Sequence, residues 1–200
     1  MLSAHQQFLD NLSRVRSLGH LAVSVDSLTT NAVDTTDLLR SQIVLSVSAL
    51  DYFVHELSRI GCVQVADGGR PKTAAWERCQ IPVRFTDLAI GGAATNQWMG
   101  EAIREKHAWL SFQHPDKIAD AIRLFSNVRL WDEVGIKLGD NAANVKTRLI
   151  AIVDRRNKIA HEADIDPTNP GFRWPINAAM VNPAVDFLEK VGNAIFDIVK

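Results

Sequence analysis

Residues 154–162 read Asp154-Arg155-Arg156-Asn157-Lys158-Ile159-Ala160-His161-Glu162, and they close a helical pattern that begins near Asn141. Apolar residues recur at helical spacing on two neighbouring stripes of this pattern. Arg156 falls in the gap of the first stripe, and Asn157 falls in the gap of the second. Because burying an unpaired charge is costly, two polar residues at adjacent core positions require either compensating partners or a function.

His161 adds a third polar group to the same region. It lies four residues after Asn157, one helical turn further along the same face. It also lies about 140° around the helix axis from Arg156. The three side chains can therefore share one concave surface.

This arrangement resembles a known family. Arg156-Asn157, three residues and then His161 match the Arg-polar-x-x-x-His signature of the HEPN superfamily, and the longer run from Arg155 to Asp164 resembles its RiboL-PSP-HEPN branch. The upstream segment Ser48-Ala49-Leu50-Asp51-Tyr52-Phe53-Val54-His55-Glu56-Leu57 and an Asp-Pro-containing loop downstream strengthen the resemblance. The resemblance implies a small all-α helical bundle, and a dimer in which two Arg/His sets face each other.

Many members of the superfamily are metal-independent endoribonucleases, so the resemblance also implies a chemistry. An RNA 2′-hydroxyl already lies beside the phosphate it attacks, so the enzyme must only move protons and stabilise negative charge. Histidine suits proton transfer near neutral pH and arginine suits the phosphate. We expect His161 to act as base or acid, Arg156 to bind the phosphate, and Asn157 to orient the phosphate or the imidazole. The alternative is a non-catalytic HEPN module that binds RNA, a nucleotide or a protein partner.

Composition limits the other possibilities. The 200 residues are 46% hydrophobic and 22% charged, with a formal net charge of −1, as in an ordinary globular chain. If the protein binds RNA, the RNA must therefore bind a local patch. Two cysteines without metal-type spacing, no signal-peptide pattern and no long apolar run favour a cytoplasmic protein without a membrane segment. No cofactor is expected, and a metal held by His161, Glu162 and Asp164 is disfavoured because neighbouring residues on a helix point apart.

The pattern predicts one domain, residues 1–200, with an N-terminal helix and connector (1–30), a family core (37–200) and irregular loop insertions. Other predicted helix limits rest on glycine, proline and caps. We expect helices at about Ala4–Leu18, Asp37–Ile60 and Thr95–Phe112, a helix start at His114-Pro115, a helix end at Gly139, and a last helix starting at Asn182-Pro183.

The predicted helix at 37–60 carries a polar stripe that includes Asp51 and His55, one turn apart. One interpretation is a solvated face, and another is that Asp51 and Arg156 form a buried structural pair. The functional interpretation is that Asp51 faces the signature helix and holds the Arg156 guanidinium. His107 interrupts an apolar stripe, and a partly buried, hydrogen-bonded histidine is the expected explanation.

Four further residues are candidates for RNA contact. Arg155 and Lys158 flank the signature with positive charge, and Arg173-Trp174 in the loop 163–175 combine a cation with a base-stacking surface. In the alternative interpretation, Trp174 fills the core and Arg173 is solvated. A homodimer, an antitoxin or another regulatory partner, and roles in phage defence, toxin–antitoxin action or RNA repair are all compatible with the resemblance.

Overall fold

A computed structural model describes residues 1–29, 32–91 and 96–200. Within these ranges the chain forms nine α-helices and one short 3-10 turn, with no strand. The helices are α1 (Leu2–Thr29), α2 (Thr36–Ala66), α3 (Ala74–Glu77), α4 (Thr86–Ile90), α5 (Gln97–His107), α6 (Pro115–Arg123), α7 (Leu130–Leu138), α8 (Ala142–His161) and α9 (Ala178–Val199). The predicted all-α, HEPN-type helical bundle is confirmed.

Helix α2 lies at the centre of the bundle and contacts α1, α5, α6, α8 and α9. Its buried stripe includes Val47, Leu50, Val54 and Leu57, all fully buried, at the spacing of an amphipathic helix. These side chains join the buried faces of α1, α6, α7, α8 and α9 in one hydrophobic core. Since α8 packs directly on α2, the polar stripe of α2 and the signature of α8 lie within one neighbourhood.

Two helices are longer than predicted because their glycines serve packing instead of ending the helix. Gly19 lies inside α1, where an added Cβ would stand 2.6 Å from Gln42 Nε2. Gly61 lies inside α2, where an added Cβ would overlap the ring of Phe125. The absence of a side chain at each glycine thus admits a neighbour from another part of the chain. The expected helix ends at Leu18 and Ile60 were therefore wrong.

Helix α5 is shorter than predicted. The expected start, Thr95, lies outside the described residues, and the helix ends at His107. Phe112 lies beyond it with its ring buried and its backbone N–H donated to the Asp51 carboxylate at 2.5 Å. The Phe112 N–H therefore binds a side chain of α2 instead of a helical carbonyl, and the residue lies outside the helix.

The start of α9 was also predicted wrongly. The helix begins at Ala178, where the Asn177 side chain accepts a hydrogen bond from the Met180 N–H at 3.0 Å. Pro183 lies inside the helix and removes the donor for the carbonyl of Ala179, which is on an exposed residue and can bind water. By contrast, the predicted helix start at His114-Pro115 and the end of α7 at Gly139, which has a φ of 67°, are confirmed.

Candidate active site on helices α2 and α8

Helix α8 presents the signature on its C-terminal half. The Asn141 side chain caps its start by accepting a hydrogen bond from the Asn144 N–H. Val145 and Leu149 then anchor its N-terminal half in the core. Beyond them Arg156 and Asn157 are half-buried and His161, the last helical residue, is exposed. The signature therefore runs from the packed interior out to the surface.

The Arg156 guanidinium is held by two neutral amides. Its Nη1 donates to Asn157 Oδ1 at 2.9 Å, and its Nη2 donates to Gln113 Oε1. Across the described part of the chain, no carboxylate makes a salt bridge to Arg156. The side chain is therefore fixed in place while its positive charge stays uncompensated by direct contact.

Asp51 is connected to Arg156 through Gln113 and does not touch it. The Asp51 carboxylate accepts hydrogen bonds from the Phe112 N–H at 2.5 Å and from Gln113 Nε2 at 2.9 Å. The expectation that Asp51 holds the guanidinium directly was therefore wrong. The alternative, a direct structural pair of Asp51 and Arg156, was wrong for the same reason. Gln113 lies in the loop between α5 and α6, where no periodic pattern singles it out.

His55 lies beside Asp51, and His107 lies beside His55. His55 Nε2 lies 3.6 Å from Asp51 Oδ1, and the His55 ring packs on Phe112 with centroids 4.5 Å apart. The His107 ring lies 6.1 Å from that of His55. His107 is buried as predicted, but among the described residues its Nδ1 has no hydrogen-bond partner. Burial, reinforced by the neighbouring charges of His55 and Lys106, lowers the pKa of His107 to about 4, so this imidazole is neutral at physiological pH.

Arg155, the neighbour of Arg156, has a different environment. Its Nη2 donates to Asp164 Oδ2 at 2.8 Å, and Arg40 Nε donates to the same oxygen at 2.8 Å. Asp164 is completely buried. Arg155 was predicted to bind RNA, but the structure uses its guanidinium to fix the loop after α8.

The backbone at the end of α8 brings Asp164 into this position. Ala163 and Asp164 both adopt left-handed conformations, with φ of 51° and 59°. Such conformations are unfavourable for alanine, and they persist only where surrounding contacts enforce them. Here the Asp164 N–H donates to the Lys158 carbonyl, and the Asp164 carbonyl accepts from the Trp174 N–H at 2.8 Å.

The remaining predicted RNA contacts lie on the same loop or beside it. Lys158 Nζ stands 5.5 Å from the centre of the Trp174 ring, a cation–π contact. Trp174 is half-buried, while Arg173 pairs with Asp34, which precedes α2, and with Asp37 in the first turn of α2. Arg173 and Trp174 thus secure the loop through partners within the chain, which favours the interpretation that Trp174 has a packing role.

His161 stands apart from this loop. Within the ranges described, its imidazole makes no side-chain hydrogen bond or salt bridge, and it projects from the last turn of α8. Asp164, by contrast, points into the core. The described residues bring together no group of three His, Cys, Asp or Glu side chains that could hold a metal ion.

Comparison with protein families places the chain. The model of the RiboL-PSP-HEPN family, within the HEPN superfamily, matches residues 9–200. The chain belongs to this family. HEPN domains act as ribonucleases or RNA-binding modules, so membership indicates an RNA-related role. No curated protein and no solved structure matches the chain. None of the helices in the described ranges has the length and apolar character needed to cross a membrane.

Proposed function

We propose that this member of the RiboL-PSP-HEPN family is a cytoplasmic, metal-independent endoribonuclease. The supporting observation is the state of Arg156: the cation is fixed by amides and, among the residues that the structure describes, contacts no carboxylate. A phosphodiester supplies the missing negative charge, and the planar guanidinium offers donors at the spacing of phosphate oxygens. Arg155 is less suited to this role because its guanidinium already donates to the buried Asp164 carboxylate.

The proposed reaction is a transesterification. The RNA 2′-oxygen attacks the adjacent phosphorus while a base removes its proton, the bond from phosphorus to the 5′-oxygen breaks, and an acid protonates that oxygen. The products are a 2′,3′-cyclic phosphate and a 5′-hydroxyl. Arg156 stabilises the extra negative charge on the five-coordinate phosphorus, and His161 transfers a proton.

One chain provides one exposed signature histidine, whereas the reaction needs two proton transfers. A homodimer with the signature helices facing across a two-fold axis supplies the second imidazole. An apolar side chain for such a contact stands beside the end of α8, since Leu45 on α2 is 46% exposed and lines one groove with Ile159 and Ala163. A solution measurement that gives a strict monomer would remove this composite site.

A non-catalytic module is the second candidate function. It is favoured by His161, because no described residue of the same chain orients its imidazole. On this alternative Arg156 binds an RNA phosphate, or a carboxylate of a protein partner such as an antitoxin, without turnover. Roles in phage defence, toxin–antitoxin action and RNA repair fit either function.

The test is cleavage of end-labelled RNA by the purified protein in EDTA. We expect products ending in a 2′,3′-cyclic phosphate, no cleavage at a 2′-deoxy position, and a loss of about 100-fold or more for His161→Ala. The melting temperature of His161→Ala should stay unchanged because the side chain is exposed. His20→Ala, which removes another histidine far along the chain on α1, is the matched control and should cleave normally. RNA that is bound but stays intact would support the non-catalytic module.

A further inference from the structure

The side-chain amide of Gln113 makes two hydrogen bonds, one to Asp51 and one to Arg156. The residue is 9% exposed, its Nε2 donates to Asp51 Oδ2 at 2.9 Å, and its Oε1 accepts from Arg156 Nη2. A carboxylate only accepts hydrogen bonds and a guanidinium only donates them. The amide therefore has one possible orientation here, with its NH2 toward Asp51 and its oxygen toward Arg156.

Asp51 is itself fixed from the other side. Its second oxygen accepts the backbone N–H of Phe112, whose ring is buried. The result is a continuous chain of hydrogen bonds from the backbone of residue 112 through Asp51 and Gln113 to Arg156. This series of hydrogen bonds, together with the Asn157 amide, fixes the position of the guanidinium.

The same chain keeps the negative charge of Asp51 one side chain away from the guanidinium. A direct carboxylate contact would hold the arginine equally well, as Asp164 does for Arg155 and Arg40. It would also neutralise the arginine and compete with an incoming anion. A neutral amide holds the guanidinium without this competition.

We propose that Gln113 is a positioning residue that holds Arg156 ready for a phosphodiester while insulating it from the carboxylate of Asp51. The inference rests on the proposed function for the identity of the anion. The part that stands without the proposed nuclease is that an anion binds Arg156 and that its binding depends on the neutrality of Gln113.

The experiment exchanges the amide and the carboxylate in the double variant Asp51→Asn/Gln113→Glu. The new amide at position 51 can accept from the Phe112 N–H and donate to the new carboxylate at position 113, which in turn accepts from Arg156. Every hydrogen bond and the net charge are retained, but the carboxylate now touches the guanidinium. Each single variant disrupts the chain: Gln113→Glu sets two carboxylates against each other, and Asp51→Asn sets two amide NH2 groups against each other unless one flips.

We expect both single variants to melt at lower temperature and the double variant to regain the wild-type melting temperature. The double variant should nevertheless bind a 2′-O-methyl oligoribonucleotide, which cannot be cleaved, at least tenfold more weakly in fluorescence anisotropy. Inorganic phosphate should raise the melting temperature of the wild type more than that of the double variant. A merely structural role for Gln113 predicts that anion binding returns together with stability.

The possible results separate the two proposals. Equal oligonucleotide affinity and equal phosphate stabilisation in wild type and double variant would overturn the insulating role, as would no binding to either. Weaker binding by the double variant, combined with intact RNA in the wild-type reaction, would support the insulating role and refute the nuclease. RNA cleavage by the double variant at the wild-type rate would overturn the insulating role and leave the nuclease standing.

Discussion

Two adjacent arginines of α8 are held in contrasting ways. Arg155 donates to a fully buried carboxylate, Asp164, which also binds Arg40 of α2. Arg156 donates to two amides, Gln113 and Asn157. In the first arrangement the arginines pair with a carboxylate and fix a loop to the bundle. In the second, neutral amides hold the guanidinium, so its positive charge remains available to an anion. The difference shows that the role of an arginine on a helix face can be inferred only once the groups that contact it are known.

The largest effect is expected from breaking the closed arrangement. Asp164→Ala leaves Arg40 and Arg155 without their carboxylate, so the free energy of unfolding should fall by about 3–5 kcal/mol. The variant also places alanine at a φ of 59°. Asp164→Asn is the control, because asparagine tolerates this backbone conformation and keeps one acceptor oxygen, and its loss should be smaller. Urea denaturation measures both, and an unchanged midpoint for Asp164→Ala would show that the buried pairs contribute nothing to stability.

A paired substitution compares the two arginines directly. Arg155→Ala should lower the free energy of unfolding by roughly 2 kcal/mol, because Asp164 loses one of its two partners. Arg156→Ala should lower it by only about 1 kcal/mol, the value of hydrogen bonds to neutral amides, yet abolish RNA cleavage or binding. Arg155→Ala should retain most of the RNA cleavage or binding, although it is the less stable of the two variants. Denaturation curves and RNA assays on the same preparations measure both effects. The prediction would be contradicted if Arg156→Ala were the less stable variant or Arg155→Ala the less active one.

The smallest effect expected is the change in stability with pH that arises from His107, near Asp51. The pKa of His107 is lowered to about 4 in the folded protein, against an ordinary value of 6.5. The unfolded chain therefore binds this proton first, so the stability contribution is fully present above pH 6.5 and is lost as pH falls from 6.5 toward 4. Between about pH 7 and pH 6 the loss should be less than about 1 kcal/mol. Subtracting the pH profile of His107→Phe should remove this slope, and identical profiles would mean that His107 does not titrate abnormally.

The signature helix could be predicted from the sequence because its determinants are local. Asn141 caps it, the apolar residues repeat along it, and Arg156, Asn157 and His161 interrupt it within six positions. The end of α7 at Gly139 is local for the same reason, since a left-handed glycine closes the helix that precedes it.

The misplaced helix ends have the opposite cause. Gly19 and Gly61 look like helix ends in the sequence, but their neighbours, Gln42 and Phe125, come from distant parts of the chain. Whether a glycine ends a helix or admits a close contact depends on packing that periodicity does not contain. The role of Gln113 could not be predicted for the same reason. A glutamine in a loop can be recognised as a site residue only when the structure shows Asp51 and Arg156 on either side of it.

The sequence by itself determined the helical class, the family and the helix that carries Arg156, Asn157 and His161, because spacing along one helix fixes which side chains share a face. Only the tertiary structure decided that Arg155 pairs with a carboxylate whereas Arg156, within the described residues, contacts amides alone. The groups around the two arginines, Asp164 and Arg40 beside Arg155 and Gln113 and Asp51 beside Arg156, come from separate parts of the chain. Electrostatic compensation depends on distances in space, and folding alone sets those distances.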